Sequence, residues 1–217
     1  TTFTAQGWVF DGIGGDMYGV LLDPEHSLKV ENAFESPALR EIIDRYYRWN
    51  KMGYISKDAL TDPLAATQSV KAGTSMSYQS ATKPGIRAQE TGLCGMPVVV
   101  FQTGPDFMKS SAVAGMPWCI NSNTDVPEAA MTILNAFFKD EDLSNLLCWG
   151  QEGKDWKFAA DGKHITFADG VIPGQWEYYN NVNWLLPNQF IAHIWEGDDL
   201  QVWEKMARFN NESVKSK

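Results

Sequence analysis

Two kinds of segment alternate along the first two-thirds of the chain, and this alternation most limits the folds open to it. Helix patterns, with an apolar residue at every third or fourth position, are separated by short runs of branched residues. Helices that alternate with strands are typical of α/β domains, in which the helices cover a sheet. The last third has helix patterns separated by polar loops. We therefore expect an α/β fold with an irregular C-terminal part.

The clearest helix is predicted from Ser36 to Gly53. Ser36 is a suitable N-cap, Pro37 fits the first helical position, and Gly53 can adopt the left-handed conformation that ends a helix. The same order of an N-cap residue, a proline and a terminal glycine predicts a second helix from Asp62 to Gly73. Further helix patterns cover residues 127–138, 141–149 and 198–209.

Strand predictions depend on branched residues and on turns. Pro97–Phe101 contains three consecutive valines and is predicted to be a buried strand. Shorter strands are predicted at residues 74–79 and 118–120. Asp161-Gly162 predicts the turn of a hairpin over residues 157–167, because this pair readily adopts positive φ.

Composition and charge describe a globular protein and exclude two classes of partner. The 217 residues are 44% hydrophobic and 21% charged, which provides enough apolar material for a core. The net charge is −9 at pH 7. Because acidic surfaces repel polyanions, we do not expect binding to nucleic acid or to an anionic membrane. No apolar run approaches the ~20 residues needed to cross a bilayer.

The cysteine and acidic motifs do not predict a metal site. Cys94, Cys119 and Cys148 lie far apart without a CxxC pair, so a structural zinc site is not expected. Free thiols, or one disulfide with a leftover thiol, both remain open. Asp161-Gly162-Lys163 and Asp198-Asp199 are too sparse for an EF-hand loop. We therefore predict neither a metal nor a cofactor.

Two long segments carry a family resemblance. The first runs from Glu35-Ser36-Pro37 through GYISKDALT at residues 53–61 to KAGTSMSY at residues 71–78. The second is INSNTDVPEAAM at residues 120–131. In order and spacing they resemble the family 1 extracellular solute-binding proteins of ABC importers. NLLCWGQEGKDW at residues 145–156, with NQFI, WEGDD and WEK further on, resembles the LipO-type subgroup, which has its own C-terminal extension.

The resemblance implies a fold, a function and a location. The fold would be part of a type II periplasmic-binding-protein-like fold. Residues 1–96 would belong to the second α/β lobe, and residues 97–217 would cross into the first lobe and form a helical, loop-rich C-terminal extension. The implied function is a non-enzymatic receptor that captures an oligosaccharide between two lobes and delivers it to a membrane permease. The implied location is extracytoplasmic, as a bacterial surface lipoprotein whose signal and anchor are absent from this chain.

Aromatic faces next to polar side chains are the groups expected to bind such a ligand. Sugar rings have apolar C–H faces, which stack on aromatics, and hydroxyl rims, which form hydrogen bonds. The chain contains nine tryptophans, and residues 176–184 interleave aromatics with amides. The family's cleft-facing segment corresponds here to residues 79–83, which lack a tryptophan. The predicted ligand contacts are Trp8, Gln79, Lys83, Trp118, Trp156, Trp176, Tyr179 and Trp184.

Two other functions remain open from the sequence. A glycoside hydrolase needs two carboxylates on opposite sides of a sugar, and Glu152 with Asp155, or Glu196 with Asp198, can be nominated. These pairs carry little weight, because carboxylates are frequent on an acidic chain. A glycan-binding or adhesion module would use exposed aromatics at an interface with its partner.

Overall fold

The computed structural model describes residues 9–13, 19–61, 64–114, 117–172, 178, 180 and 183–217. Its helices are α1 (Pro37–Lys51), α2 (Ala66–Lys71), α3 (Ile86–Cys94), α4 (Ser111–Ala114), α5 (Pro127–Lys139), α6 (Glu141–Trp149) and α7 (Val202–Glu212). Its strands are β1 (Val20–Leu21), β2 (Val30–Glu31), β3 (Phe107–Met108), β4 (Trp156–Phe158), β5 (His164–Phe167), β6 (Ile194–Trp195) and β7 (Val214–Lys215).

The chain forms two compact units. Unit 1 contains Thr1–Gly115 and Ala207–Lys217, and unit 2 contains Met116–Met206. Within unit 1, β1 pairs with β2 in antiparallel fashion and β3 pairs with β7 in parallel. Unit 2 has a three-stranded sheet in the order β4-β5-β6. The predicted boundary between two lobes at residue 96 stays a prediction, because the two units are divisions of this chain alone.

α1 confirms the clearest helix prediction. The Ser36 hydroxyl accepts a hydrogen bond from the N–H of Ala38 at 3.2 Å, as an N-cap does. Gly53 follows the helix with a φ of 76°, a left-handed conformation that costs glycine little. The helix buries Leu39 and Ile42. Local capping signals and the apolar spacing therefore agree with the observed packing.

Unit 1 joins three distant parts of the chain at a buried carboxylate. Asp11 is fully buried, and its two oxygens accept hydrogen bonds from the N–H (2.7 Å) and the hydroxyl (2.9 Å) of Ser110. Burial opposes ionisation, but hydrogen bonds from Ser216, Ser110 and Ile13 outweigh it and lower the pKa of Asp11 to about 2. The charged side chain thus connects the N-terminal segment to the segments that carry β3 and β7.

The predicted hairpin is confirmed in unit 2. β4 and β5 pair in antiparallel fashion, with Lys157 opposite Thr166, and Gly162 in the turn has a φ of 64°. β6 then adds to β5 in parallel. α6 begins and ends as predicted, with the Asp140 carboxylate accepting the N–H of Leu143 at 2.9 Å. These elements form the described core of unit 2.

Three strand predictions are wrong for the described residues. The segment Pro97–Phe101 is irregular and exposed instead of buried: Val99 and Phe101 are 77% and 81% exposed. Residues 74–79 and 118–120 also lie outside the strands. Branched residues favour an extended backbone, but a strand needs a neighbour to pair with. Within the part of the chain that is described, none of these segments has such a neighbour.

Two predicted helices have different bounds, and the sequence does not predict α3. α7 begins at Val202, four residues after the predicted start at Asp198. α2 has only six residues, and the predicted start at Asp62 and Pro63 lies outside the described residues. α3 forms in a region where the sequence predicts no helix, directly after Gly85, which has a φ of 81°. Its apolar pattern is weak because polar residues make up much of its length. No described helix has the length and apolar character needed to span a membrane.

Candidate ligand-binding surfaces

The predicted ligand contacts fall on both units. Gln79 and Lys83 lie in unit 1, whereas Trp118, Trp156 and Trp184 lie in unit 2. Trp8, Trp176 and Tyr179 lie outside the described residues. We therefore describe each surface within its own unit.

The segment Gln79–Lys83, called the polar segment below, connects α2 with α3. The side-chain amide oxygen of Gln79 accepts a hydrogen bond from the Tyr46 hydroxyl of α1 at 2.9 Å. The backbone oxygen of Lys83 accepts the N–H of Ile86 at 3.2 Å. Gln79 is exposed and Lys83 half-buried. The Gln79 amide and the Lys83 ammonium group can both form hydrogen bonds with ligand hydroxyls.

Trp118 lies close in sequence to a groove in unit 2. Its side chain is 49% exposed. The groove has a volume of about 460 Å³ and begins two residues later, where the chain enters α5. Hydroxyl, amide, carboxylate and apolar groups line it together: Ile120, Asn121, Ser122, Thr124, Pro127, Glu128 and Met131. Saccharides are bound by aromatic faces together with hydrogen-bonding groups, and here an exposed indole and such groups lie two residues apart in sequence.

The ring of Trp156 is covered. The side chain is only 4% exposed, and its Nε1 donates to the backbone oxygen of Gly150 at 3.0 Å. Its ring contacts those of Phe158 and His193, at centroid distances of 5.5 and 5.2 Å. Trp156 therefore packs inside unit 2, and its hydrogen bond to Gly150 connects it to the turn before β4.

A second groove lies at the end of α6, next to that turn. It has a volume of about 390 Å³ and is lined by Leu146, Gly150, Gln151, Lys154, Asp155 and Tyr178. Tyr178 and Asn180 both donate to the backbone oxygen of Leu147 at 2.7 Å. Burial raises the pKa of Tyr178, so its hydroxyl remains a donor at neutral pH. Trp184, further along the same loop region, is 51% exposed.

Sequence reasoning missed the polar residues of both grooves. Asn121, Ser122 and Thr124 lie in the small polar turn that carries the family resemblance, and this turn is the signal that could have identified them. Gln151 and Lys154 lie in the GQEGKD motif, whose charged, glycine-containing pattern also marks a turn. Neither pattern reveals a groove, because a groove also needs the neighbouring helix.

The three cysteines differ in their exposure. All three are described and free, with Cys94 and Cys148 buried and Cys119 exposed, so the free-thiol alternative holds. Burial raises the pKa of Cys148 to about 12, which keeps it protonated. Among the described residues, no group of three or more His, Cys, Asp or Glu side chains could hold a metal ion.

Comparison with known proteins gives consistent results. No protein-family model matches the chain. A carbohydrate ABC transporter substrate-binding protein of Streptococcus pneumoniae serotype 4 (strain ATCC BAA-334 / TIGR4) is 26% identical over 168 residues, which are 73% of this chain and 33% of that protein. The chain therefore spans about a third of the length of this curated relative.

Solved structures of NgtS, the N-glycan transport solute binding protein of S. pneumoniae, share the fold. The NgtS structure with Man1GlcNAc has a TM-score of 0.76 and 21% identity, covering 95% of this chain and 46% of that chain. The complex with Man5GlcNAc has a TM-score of 0.67 and 22% identity, and covers 95% and 45%. The chain thus has part of a periplasmic-binding-protein-like fold, which confirms the predicted fold class.

Proposed function

We propose that this chain is part of the solute-binding receptor of a bacterial ABC importer and that it binds an oligosaccharide. The proposal of an oligosaccharide ligand rests on one observation. The half-exposed ring of Trp118 lies two residues before a groove with hydroxyl, amide and carboxylate groups. The similarity to a carbohydrate transporter's binding protein and to NgtS supports the receptor function.

The size and charge of the Trp118 groove favour a neutral glycan. Small-ligand sites have volumes of ~300–1,000 Å³, and the groove, at about 460 Å³, lies within this range. Its described lining includes the carboxylate of Glu128 but no basic side chain. A carboxylate accepts hydrogen bonds from sugar hydroxyls and repels acidic sugars. We therefore propose a neutral oligosaccharide, for which the N-glycan fragments bound by NgtS are suitable probes.

Several finer assignments belong to the same proposal. We propose Gln79, Lys83, Trp118 and Trp184 as ligand contacts among the described residues; Trp156 is set apart by its burial. The LipO-type motifs support a place in that subgroup, with this chain as the C-terminal portion of a longer receptor. Such a receptor would be a surface lipoprotein and would deliver its ligand to a membrane permease.

Saturation-transfer NMR tests the ligand class. Man1GlcNAc and Man5GlcNAc are mixed with the chain, an acidic oligosaccharide is included as a charge comparison, and the sugar signals are followed over hours. We expect saturation transfer to the two neutral glycans, which remain unchanged. Trp118→Ala should weaken binding about tenfold, because an aromatic stacking contact contributes about 1.4 kcal/mol.

A matched variant separates ligand contact from general loss of an aromatic. Tyr54 is an exposed aromatic in unit 1 outside the proposed contacts, so Tyr54→Ala should bind the glycans like the unchanged chain. Equal weakening in both variants would contradict a specific role for Trp118. New reducing-end signals would indicate a hydrolase, and no transfer from either neutral glycan would reject the proposed ligand class.

A further inference from the structure

Tyr78, directly before the polar segment, is held by two buried side chains of α3. Its hydroxyl donates to a carboxylate oxygen of Glu90 and lies 3.4 Å from the Sγ of Cys94. Glu90 and Cys94 are four residues apart, which places them on the same face of the helix. Both are buried, and Tyr78 is half-buried. One face of α3 therefore holds Tyr78, the residue directly before the polar segment.

The rest of the polar segment is attached to the same helix and to α1. The side chain of Gln79 is held by the Tyr46 hydroxyl, and the backbone oxygen of Lys83 accepts the N–H of Ile86, the first residue of α3. Tyr78, directly before the segment, thus contacts the last turns of α3, and Lys83, at the end of the segment, contacts the first residue of the same helix. The residues between these two attachments are exposed.

A buried carboxylate is costly unless it has hydrogen-bond partners, so Glu90 is an unusual choice for packing alone. An apolar side chain would fill the same space without that cost. Burial, together with the hydrogen bonds to Cys94 and Glu90, raises the pKa of Tyr78, and its hydroxyl therefore stays a donor at neutral pH. The Tyr78–Glu90 pair is a directional contact, which fixes a position more narrowly than apolar packing does.

We propose that Tyr78 and Glu90 are positioning residues: they hold Gln79 and Lys83 in the geometry that contacts the glycan, without touching it themselves. This inference rests on the proposed function for the ligand contact, but the positioning can be measured without a ligand. Losing the Tyr78–Glu90 contact frees the start of the polar segment, and glycan binding must then restore the lost order.

The first test measures order in the polar segment by ¹⁵N relaxation of the whole chain. Tyr78→Phe removes only the hydroxyl, whereas Glu90→Gln keeps an acceptor oxygen for it. We expect backbone order parameters of Gln79–Lys83 to fall from ~0.85 to below ~0.6 in Tyr78→Phe and to stay high in Glu90→Gln. Unchanged order in Tyr78→Phe would overturn the proposal.

A control in the same unit separates positioning from loss of stability. Ser36→Ala removes the N-cap at the start of α1, ten residues before the Tyr46 that contacts Gln79, and costs about 1 kcal/mol of stability. It should leave the order parameters of Gln79–Lys83 unchanged. A similar loss of order in Ser36→Ala and Tyr78→Phe would show a general effect of destabilisation and would overturn the proposal.

The second test asks whether the effect on the glycan runs through Gln79 and Lys83. Tyr78→Phe should weaken Man1GlcNAc binding about fivefold in the unchanged chain, but leave it unchanged where Gln79→Ala and Lys83→Ala are already present. An equal loss in both backgrounds would overturn the positioning role. If the unchanged chain binds no neutral glycan, the proposed function fails, and the order parameters alone decide whether Tyr78 positions the segment.

Discussion

At Gly150, the backbone conformation and the packing of a neighbouring side chain depend on each other. It follows α6 with a φ of 85°, and a Cβ there would lie 2.5 Å from Oδ2 of Asp155. Asp155 cannot easily move away, because Oδ2 also accepts the N–H of Gln151 at 2.8 Å. The backbone oxygen of Gly150 in turn accepts the indole N–H of Trp156. A side chain at this position would therefore disturb the turn that borders the second groove.

We predict that Gly150→Ala destabilises the chain by about 3 kcal/mol, from the strain of an extended backbone with positive φ (φ 85°, ψ −154°), which is essentially restricted to glycine, and from the displacement of Asp155. Urea unfolding of the full chain measures the loss. Gly153→Ala is the matched control: Gly153 lies in the same turn with a φ of 79°, and no described atom would lie within 4 Å of its added Cβ. The control should lose only about 1 kcal/mol. Equal losses would show that the contact with Asp155 is unimportant.

At the scale of elements, the β4–β5 hairpin contains a charged side chain that fixes its turn. Asp161 accepts the N–H groups of Lys163 (2.9 Å) and His164 (3.0 Å), and its second oxygen pairs with Nδ1 of His164. The two backbone hydrogen bonds, followed by the imidazole, hold the pKa of Asp161 well below its usual range. In return, the hydrogen bond to Asp161 raises the pKa of His164. Protonation of the imidazole therefore strengthens its contact with Asp161 in the turn.

This pair predicts a pH dependence of stability. Because the folded pKa of His164 lies above its unfolded value of ~6.5, its contribution is complete below that pH and is lost as pH rises through the folded pKa. The difference in Tm between the unchanged chain and His164→Gln should therefore shrink as the pH rises from about 6.5 through the folded pKa of His164. In NMR titrations, Asp161→Asn should lower the pKa of His164, whereas His26, which pairs with Asp23, should titrate as before. An unchanged His164 titration would contradict this interpretation.

Elements with local signals were predictable, whereas those that need a distant partner were not. The caps of α1 and the Asp161-Gly162 turn lie within the elements that they specify, and both predictions are confirmed. The strand over Pro97–Phe101 needs a neighbouring strand, which no local pattern supplies. The candidate site divides in the same way. The indole of Trp118 could be nominated from its sequence context, but the groove depends on how residues 120–124 meet α5.

At the scale of the whole molecule, each unit exposes apolar surface of a kind that folded proteins usually cover. In unit 1 this surface is the segment containing Val99 and Phe101. In unit 2 it is α5, all of whose residues are described and none of which is buried, although Ile133 and Phe138 are large and apolar. Exposed apolar patches are typical of interaction sites. They agree with the proposal that this chain is part of a longer receptor.

These surfaces predict concentration-dependent self-association of the chain, since uncovered apolar groups bind one another. Phe101→Ser and Ile133→Ser should each lower the association constant about tenfold, because burying such a side chain contributes ~1.5–3 kcal/mol. Neither should change the free energy of unfolding by more than about 0.5 kcal/mol, because both side chains are already exposed. Sedimentation velocity and urea unfolding measure the two quantities. Met76→Ser is the control: Met76 is fully exposed between polar neighbours and should not affect association. A loss of stability in Phe101→Ser or Ile133→Ser would show that these side chains already pack within the chain, leaving no apolar surface for additional sequence to cover.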